Sequence, residues 1–323
     1  MTKTKVLLIL LMILLKAIGN TASAQDLLNK KTLWAAAWSP NEKYIAVGGN
    51  TDTLHIYLAE NLQPVKSYPI SNTITALKWH PTKNLLAIGT QTSKNKVSIL
   101  NFDSGNIIEL EGVASEGARG IDWNFSGAFL AVADNDGQIA IFDVDGRMVR
   151  TIQHDNTKSI TSIAWHPKKN IFITVGDKIR IYDINGTLLN TVIHRKEETL
   201  LLCVAWHKSG NYFVTGDYGD MVQKHKPLLQ FWNRKGNLIK SVDISKGEYR
   251  NITWNPKGDR LATASDALRI WDKNGKLLHE GSSKDYLWGI SWNRNGSRIV
   301  TSSTEQRVII WDSQAKLVIA EQK

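Results

Sequence analysis

The residues best suited to chemistry are few and widely spaced. The chain of 323 residues has eight histidines and one cysteine, Cys203. His80, His166 and His207 each directly follow a tryptophan, in "WHPTKN", "WHPKKN" and "WHKSGN". They could ligate a metal or move protons only if the fold brought them together. Their shared setting argues instead for one local role repeated. No His-Glu-x-x-His, Cys-x-x-Cys, calcium-loop, Gly-x-Ser-x-Gly or phosphate-loop pattern occurs. "DYGD", from Asp217 to Asp220, sets two carboxylates close together. That falls short of the about six to eight oxygens that calcium takes. The expectation is no catalytic residue, no metal and no cofactor, with a hydrolase or lyase as the minor alternative.

The histidines belong to a repeat. Tryptophan followed by a polar turn recurs in "AAWSPNEKYIAVGG", "LKWHPTKNLLAIGT", "IDWNFSGAFLAVAD", "IAWHPKKNIFITVG", "VAWHKSGNYFVTGD", "ITWNPKGDRLATAS" and "ISWNRNGSRIVTSS". The tryptophans are Trp38, Trp79, Trp123, Trp165, Trp206, Trp254 and Trp292, spaced 41, 44, 42, 41, 48 and 38 residues apart. A constant period of roughly forty residues marks a repeat architecture.

Each unit reads as four short strands. The first ends on the tryptophan, with apolar residues at alternate positions. A polar turn leads to the second, such as "YIAV" or "IFIT", and a tight turn such as Asp136-Gly137 leads to the third. Asn185-Gly186 and Asn274-Gly275 mark turns into the fourth. One such sheet cannot bury both faces alone. Stacking seven radially does so, and it predicts an all-β, seven-bladed β-propeller of four-stranded antiparallel blades. The seven tryptophans then form a layer between blades. Burying about 150–250 Å² per ring is worth roughly 4–6 kcal/mol each, as an upper estimate.

These units resemble the WD repeat. Trp271-Asp272 and Trp311-Asp312 match its eponymous dipeptide, and Phe142-Asp143, Tyr182-Asp183 and Trp232-Asn233 come near it. The resemblance covers about residues 31–321. It implies a propeller that serves as an interaction platform, here of the kind exported by bacteria. The family's Gly-His before the first strand is reduced to Gln153-His154 and Ile193-His194. Its His–Ser–Asp–Trp hydrogen-bond network is therefore expected to be incomplete in every blade. "AKLVIAEQ" after Trp311-Asp312 has the fourth-strand pattern, so blade seven should be completed by its own C-terminal segment.

Four residues before each repeat tryptophan stand Trp34, Thr75, Arg119, Thr161, Leu202, Arg250 and Trp288. In the geometry that the resemblance implies, these ring the channel mouth on the partner-binding side. Trp34 and Trp288 become neighbours on closure, with Tyr286 and Tyr249 nearby and Arg250 one blade away. Aromatic residues flanked by Arg make interface hot spots. The alternative is that both tryptophans seal the ring junction as extra core. One residue before the tryptophans, Lys78 and Asp122 lie on neighbouring blades and should pair near the channel. Blade five carries the insertion "GDYGDMVQKHKPL", which offers Asp217, Tyr218, Asp220, Lys224, His225 and Lys226 as a binding loop or as a tolerated surface insertion.

Residues 1–24 read differently from the rest. A basic start, the apolar run "VLLILLMILL" and a terminal Ala-x-Ala form the pattern of a signal peptide cleaved before Gln25, with a membrane anchor as the alternative. Residues 25–323 would then be the propeller, exported to the periplasm or outside the cell, with no membrane insertion. Removing Lys3, Lys5 and Lys16 lowers the net charge from +10 to +7. That charge looks scattered along the chain, so nucleic-acid binding is not indicated. A lone cysteine rules out intramolecular disulfides. The reading is a non-catalytic scaffold for a protein or peptide, with an envelope glycan or other anionic surface component as the alternative ligand.

Overall fold

The computed structural model describes residues 31–91, 97–113, 117–134, 136–153, 159–196, 198–220 and 222–320. The expected signal over residues 1–24 and the structural role expected of His154 lie outside them. Among the described residues, 28 strands form seven four-stranded sheets. Blade one consists of β1 (Leu33–Trp38), β2 (Tyr44–Gly49), β3 (Thr53–Leu58) and β4 (Pro64–Pro69). Each strand pairs antiparallel with the next, and the other six blades repeat this meander. The numbering continues four strands per blade.

Burial follows position in the blade. Second strands such as β6 (Leu85–Thr90) and β10 (Phe129–Asp134) are almost wholly buried, because a neighbouring blade covers each face. This explains their continuous apolar runs. Fourth strands are exposed: β20 (Leu238–Val242) is open along nearly its whole length.

The blades are joined through the repeat tryptophans. Trp38, Trp123, Trp165, Trp206 and Trp292 are buried, and Trp79 and Trp254 are partly so. Four of these indoles donate into the preceding blade: Trp79 to the Ala37 carbonyl at 3.2 Å, Trp123 to Lys78 at 3.1 Å, Trp165 to Asp122 at 3.0 Å and Trp292 to Thr253 at 3.2 Å. Each such tryptophan therefore both fills the seam and bonds across it.

The turn after each tryptophan reaches the other way. Nε2 of His80 lies 3.1 Å from the Gly127 carbonyl in the next blade, His166 lies 3.2 Å from Gly210, and His207 lies 2.7 Å from Gly258. The same rings pack edge-on against Trp123, Trp206 and Trp254. Nδ1 of His80 accepts the Thr82 and Lys83 amides, so Nε2 must carry the proton that Gly127 receives. The three histidines are thus kept apart as inter-blade fasteners, not gathered into a site.

Blade five holds part of the His–Ser–Asp–Trp network, with Thr in the Ser position, and the network stays incomplete there. Trp232 Nε1 donates to Thr215 Oγ1 at 2.9 Å, and His194 Nε2 lies 3.9 Å from buried Asp217. His194 instead bonds Thr199 at 2.9 Å, while Arg195 pairs with Asp217 at 3.0 Å. Trp271 with Thr263 and Trp311 with Thr301 repeat the Trp–Thr half. Threonine replaces serine without losing the hydroxyl, a substitution that a search for the family's usual letters passes over.

Ring closure is by packing. The outer strand of blade seven is β28 (Leu317–Ala320), from its own C-terminal segment, as expected. β1 lies against β25 (Leu287–Trp292) and β26 (Arg298–Ser303). Ser291 Oγ accepts the Trp38 amide at 3.1 Å, and Ser302 Oγ donates to the Leu33 carbonyl at 2.9 Å. Gly289 is required there: a Cβ would stand 2.3 Å from the Ala36 nitrogen.

Burial, followed by nearby Lys169, Lys168 and Arg234, lowers the pKa of His166, although its bond to Gly210 opposes this. A folded-state value below the unfolded one gives stability that is complete above the unfolded value of about 6.5 and is lost as pH falls through the folded value. Blades three, six and seven carry Asn124, Asn255 and Asn293 at this position. His166→Asn is therefore expected to fold and to shrink the loss of unfolding free energy between about pH 7.5 and about pH 5.5. Urea titrations at both pH values check it, and an unchanged loss counts against the role.

Candidate functional site

Backbone irregularity builds the channel mouth. In blades one, two, three, five and seven the first strand slips register at the residue four before the tryptophan. Leu33 faces Gly49 and Ala35 faces Gly48, so Trp34 is an unpaired extra residue. Thr75, Arg119 and Leu202 sit in the same bulge, and Trp288 shares one with Gly289. A bulge re-aims the side chain that a regular ladder would send into the seam. Glycine opposite allows the close approach: a Cβ on Gly49 would lie 1.8 Å from the Thr32 carbonyl oxygen. Thr161 and Arg250 instead directly precede β13 (Ser162–Trp165) and β21 (Asn251–Trp254).

The mouth opens on a cavity of 380 Å³ that runs down the ring axis. Trp34 and Trp288 stack across the ring junction, with centroids 5.0 Å apart and planes 29° apart. Trp288 is 8% exposed and Trp34 is only partly covered. The Arg250 guanidinium lies 3.9 Å from the Trp288 ring centroid, and that of Arg119 lies 5.8 Å from Trp34. Arg250 also reaches the Tyr218 ring at 5.9 Å and is paired with Glu248. Tyr286, over Gly247, is 39% exposed within the field of Glu248 and Arg250.

Charge in this cluster is unbalanced. Among the described residues no carboxylate lies within 4.0 Å of the Arg119 guanidinium. Burial, then repulsion from Arg250, pushes its pKa down to about 10, so it remains cationic at neutral pH. Two guanidiniums with one carboxylate, paired to Arg250, leave one positive charge uncompensated in the cluster. Deeper in the channel Lys78 and Asp122 do meet, loosely, at 3.9 Å. Burial raises the Asp122 pKa against the opposing Lys78, and its Oδ2 accepts the Trp165 amide at 2.9 Å. Its hydrogen bond is structural.

The sequence candidates divide. Trp34, Trp288, Arg119, Arg250, Tyr218 and Tyr286 converge on the mouth. Lys224 and His225 do not join them: they lie in the blade-five turn held by the bridge between Asp220 and His225, and Lys224 adopts φ 61°. Asp217 is not offered to a partner. It is wholly buried, and its Oδ1 ties the two ends of the loop by accepting the Gly219 and Leu228 amides at 3.0 and 2.7 Å. Tyr249 is likewise core, fully buried with Cys203, Phe231 and Trp271. Cys203 is no nucleophile: burial pushes its thiol pKa up, and the thiol donates to the Tyr249 carbonyl at 3.2 Å.

Known proteins resemble this arrangement in sequence. The family described as WDR19 first beta-propeller matches residues 34–202, the eukaryotic translation initiation factor eIF2A family matches residues 143–290, and the WD domain, G-beta repeat matches residues 275–312. Echinoderm microtubule-associated protein-like 2 of Rattus norvegicus is 27% identical over 146 residues, 44% of this chain and 22% of that protein. Meiotic fizzy-related protein 1 of Schizosaccharomyces pombe is 24% identical over 276 residues, 83% of this chain and 63% of that protein. Intraflagellar transport protein 80 homolog of Mus musculus is 26% identical over 157 residues, 47% of this chain and 19% of that protein. The chain thus spans less than two thirds of each of these relatives.

The two tryptophans of the stack differ in burial, so they should differ in energetic weight. Trp288→Ala is expected to cost about 3–5 kcal/mol of stability. Trp34→Ala, more open, is expected to cost about 1 kcal/mol. Urea unfolding of the two variants checks the difference; equal large losses would make the pair core alone.

Proposed function

Since the chain belongs to the WD-repeat β-propeller family, we propose that it is a non-catalytic scaffold whose channel mouth holds a segment of a partner protein. One observation carries this reading: the Trp34–Trp288 stack at the mouth of a 380 Å³ cavity, flanked by Arg250 and by Arg119 with its uncompensated charge. The stack offers a broad apolar platform, the kind of surface on which interface energy concentrates. Arg119 adds a demand for a negative charge. The partner segment therefore sets an apolar or aromatic side chain on the indoles and a carboxylate against Arg119. Trp34, Arg119 and Trp288 belong to strands of different blades and Arg250 directly precedes one, so little ordering is lost on binding. The same aromatic platform suits a sugar ring, and an acidic glycan is the second reading.

Export is part of the proposal. Residues 1–24 have the charge, apolar length and small-residue ending of a cleaved signal. The purified protein from exporting cells is expected to begin at Gln25 on N-terminal sequencing, and a chain beginning at Met1 would overturn export.

A peptide-display selection against the mature protein tests the binding reading. Enriched peptides should combine aromatic with acidic residues, and Arg119→Ala should weaken them about tenfold or more, a change of roughly 1.4 kcal/mol. A matching thermal midpoint for the variant keeps the result about binding. No enrichment, or equal binding to Arg119→Ala, would overturn the proposal.

A further inference from the structure

The turns after the repeat tryptophans form the opposite face of the ring. They touch in sequence around it. Asn41 bonds Asn84, His80 bonds Gly127, Asn124 bonds Asn170, His166 bonds Gly210 and His207 bonds Gly258. Gly296 packs on Pro256, and Asn295 bonds Glu42 to close the circle. The turn between third and fourth strands sits beside each: the Ala59, Phe102, Ile184 and Arg234 amides donate to Lys43, Asn84, Asn170 and Asn211. Charges placed in these turns therefore share one surface, however far apart in the chain.

That surface is strongly asymmetric. In blades one to three its turns carry Lys43, Lys83 and Arg147 against Glu42, Glu60, Asp103, Asp143 and Asp145. In blades four to six they carry eight cations and three acids. The cations are Lys168, Lys169, Lys208, Lys257, Arg234, Lys235, Lys273 and Lys276, all exposed. Among the described residues none of the eight has a carboxylate within 4.0 Å. The acids are engaged in their own turns: Asp183 accepts Thr187, Asp272 accepts Asn274 and Lys276, and Asp259 accepts Asn255. The cations form one field. Lys168 and Arg234 act on His166, and Lys168, Lys208 and Lys273 act on His207, helping burial to lower both pKa values.

Aliphatic side chains border the cations. Immediately after the turns of blades four and five, Leu188 and Leu189 are 50% and 52% exposed, and Leu238 and Ile239 are 50% and 62% exposed. The rim is continuous, since Asn190 donates to the Lys235 carbonyl and Lys240 to Gly275 of the next blade. Cations beside exposed aliphatics suit an interface that is negative at its surface and apolar just beneath. A nucleic-acid duplex offers nothing for the leucines to bury against. A base-stacking surface needs exposed aromatic rings, whereas His166 and His207, the rings of these turns, are buried against Trp206 and Trp254.

We propose that this face of blades four to six docks the protein peripherally on an anionic lipid bilayer. Lys168, Lys169, Lys208, Lys235 and Lys273 meet headgroup phosphates, and Leu189 and Ile239 enter the interface at its rim. The opposite face, with Trp34 and Arg119, is then directed away from the membrane. This inference is independent of what the mouth binds.

Flotation of the mature protein with vesicles tests it. Binding is expected to phosphatidylcholine vesicles containing phosphatidylglycerol, to be absent without phosphatidylglycerol, and to weaken steeply as salt rises. Lys168→Glu with Lys208→Glu and Lys273→Glu should reduce it about tenfold or more, whereas Lys43→Glu with Lys83→Glu should not. Leu189→Asn with Ile239→Asn should reduce it at constant charge. All of these residues are exposed, and unchanged thermal midpoints would show that the variants fold. Three results would overturn the proposal: no vesicle binding, equal binding to neutral vesicles, or insensitivity to Leu189→Asn with Ile239→Asn while duplex nucleic acid competes. The last would mark a site for soluble polyanions.

Discussion

Everything in this ring depends on the indole that crosses from one blade into the previous one. A four-stranded sheet of this size has two apolar faces and cannot fold alone. The repeat tryptophan solves part of that problem for its neighbour by filling the seam, and Trp79, Trp123, Trp165 and Trp292 add a hydrogen bond to a carbonyl of the preceding blade's first strand. In blades two, four and five the turn after it fastens the next blade through histidine. Blades two and four are thereby bonded on both sides by contacts of these two kinds.

The same tryptophan acts as a ruler. Residues four before it reach the channel mouth, and residues just after it reach the opposite face. Function has been left to the positions where the copies differ. At the mouth, blades one, three, six and seven depart from small residues to supply Trp34, Arg119, Arg250 and Trp288. On the opposite face, blades four to six gather lysine where blades one to three mix signs. The bulges explain why variation at the mouth is tolerated, since a bulge side chain leaves the ladder and does not compete with the seam.

The ring was legible because its signal is periodic. Seven tryptophans and the turns behind them give blade number, strand order and even the closing strand Leu317–Ala320. Counting from the tryptophan also located Trp34, Arg119, Arg250 and Trp288, with Tyr286 near them in sequence. What stayed hidden needs three dimensions. Lysines that look scattered along the chain lie together because they share a turn, not a segment. Asp217 looks like a loop charge, yet it is the buried knot that holds the loop. Lys224 and His225 belong to that loop, whose turn is held by the bridge between Asp220 and His225. Thr215, in place of serine, concealed a hydrogen bond to Trp232 from a motif written in letters.

Among the described residues no strand is exchanged between blades one and seven, and the ring resembles a split washer. Six seams are bridged by the running chain, while the junction of blades one and seven is held by side-chain and short backbone contacts such as Ser291 with Trp38. The Trp34–Trp288 stack lies across that split. A ligand resting on both indoles would act as a staple over the gap, and it would bind the closed ring better than the parted one. Occupancy and ring integrity are then thermodynamically linked, with stability rising as the logarithm of ligand concentration above its dissociation constant. The recognition surface would thus also serve as the molecule's missing clasp.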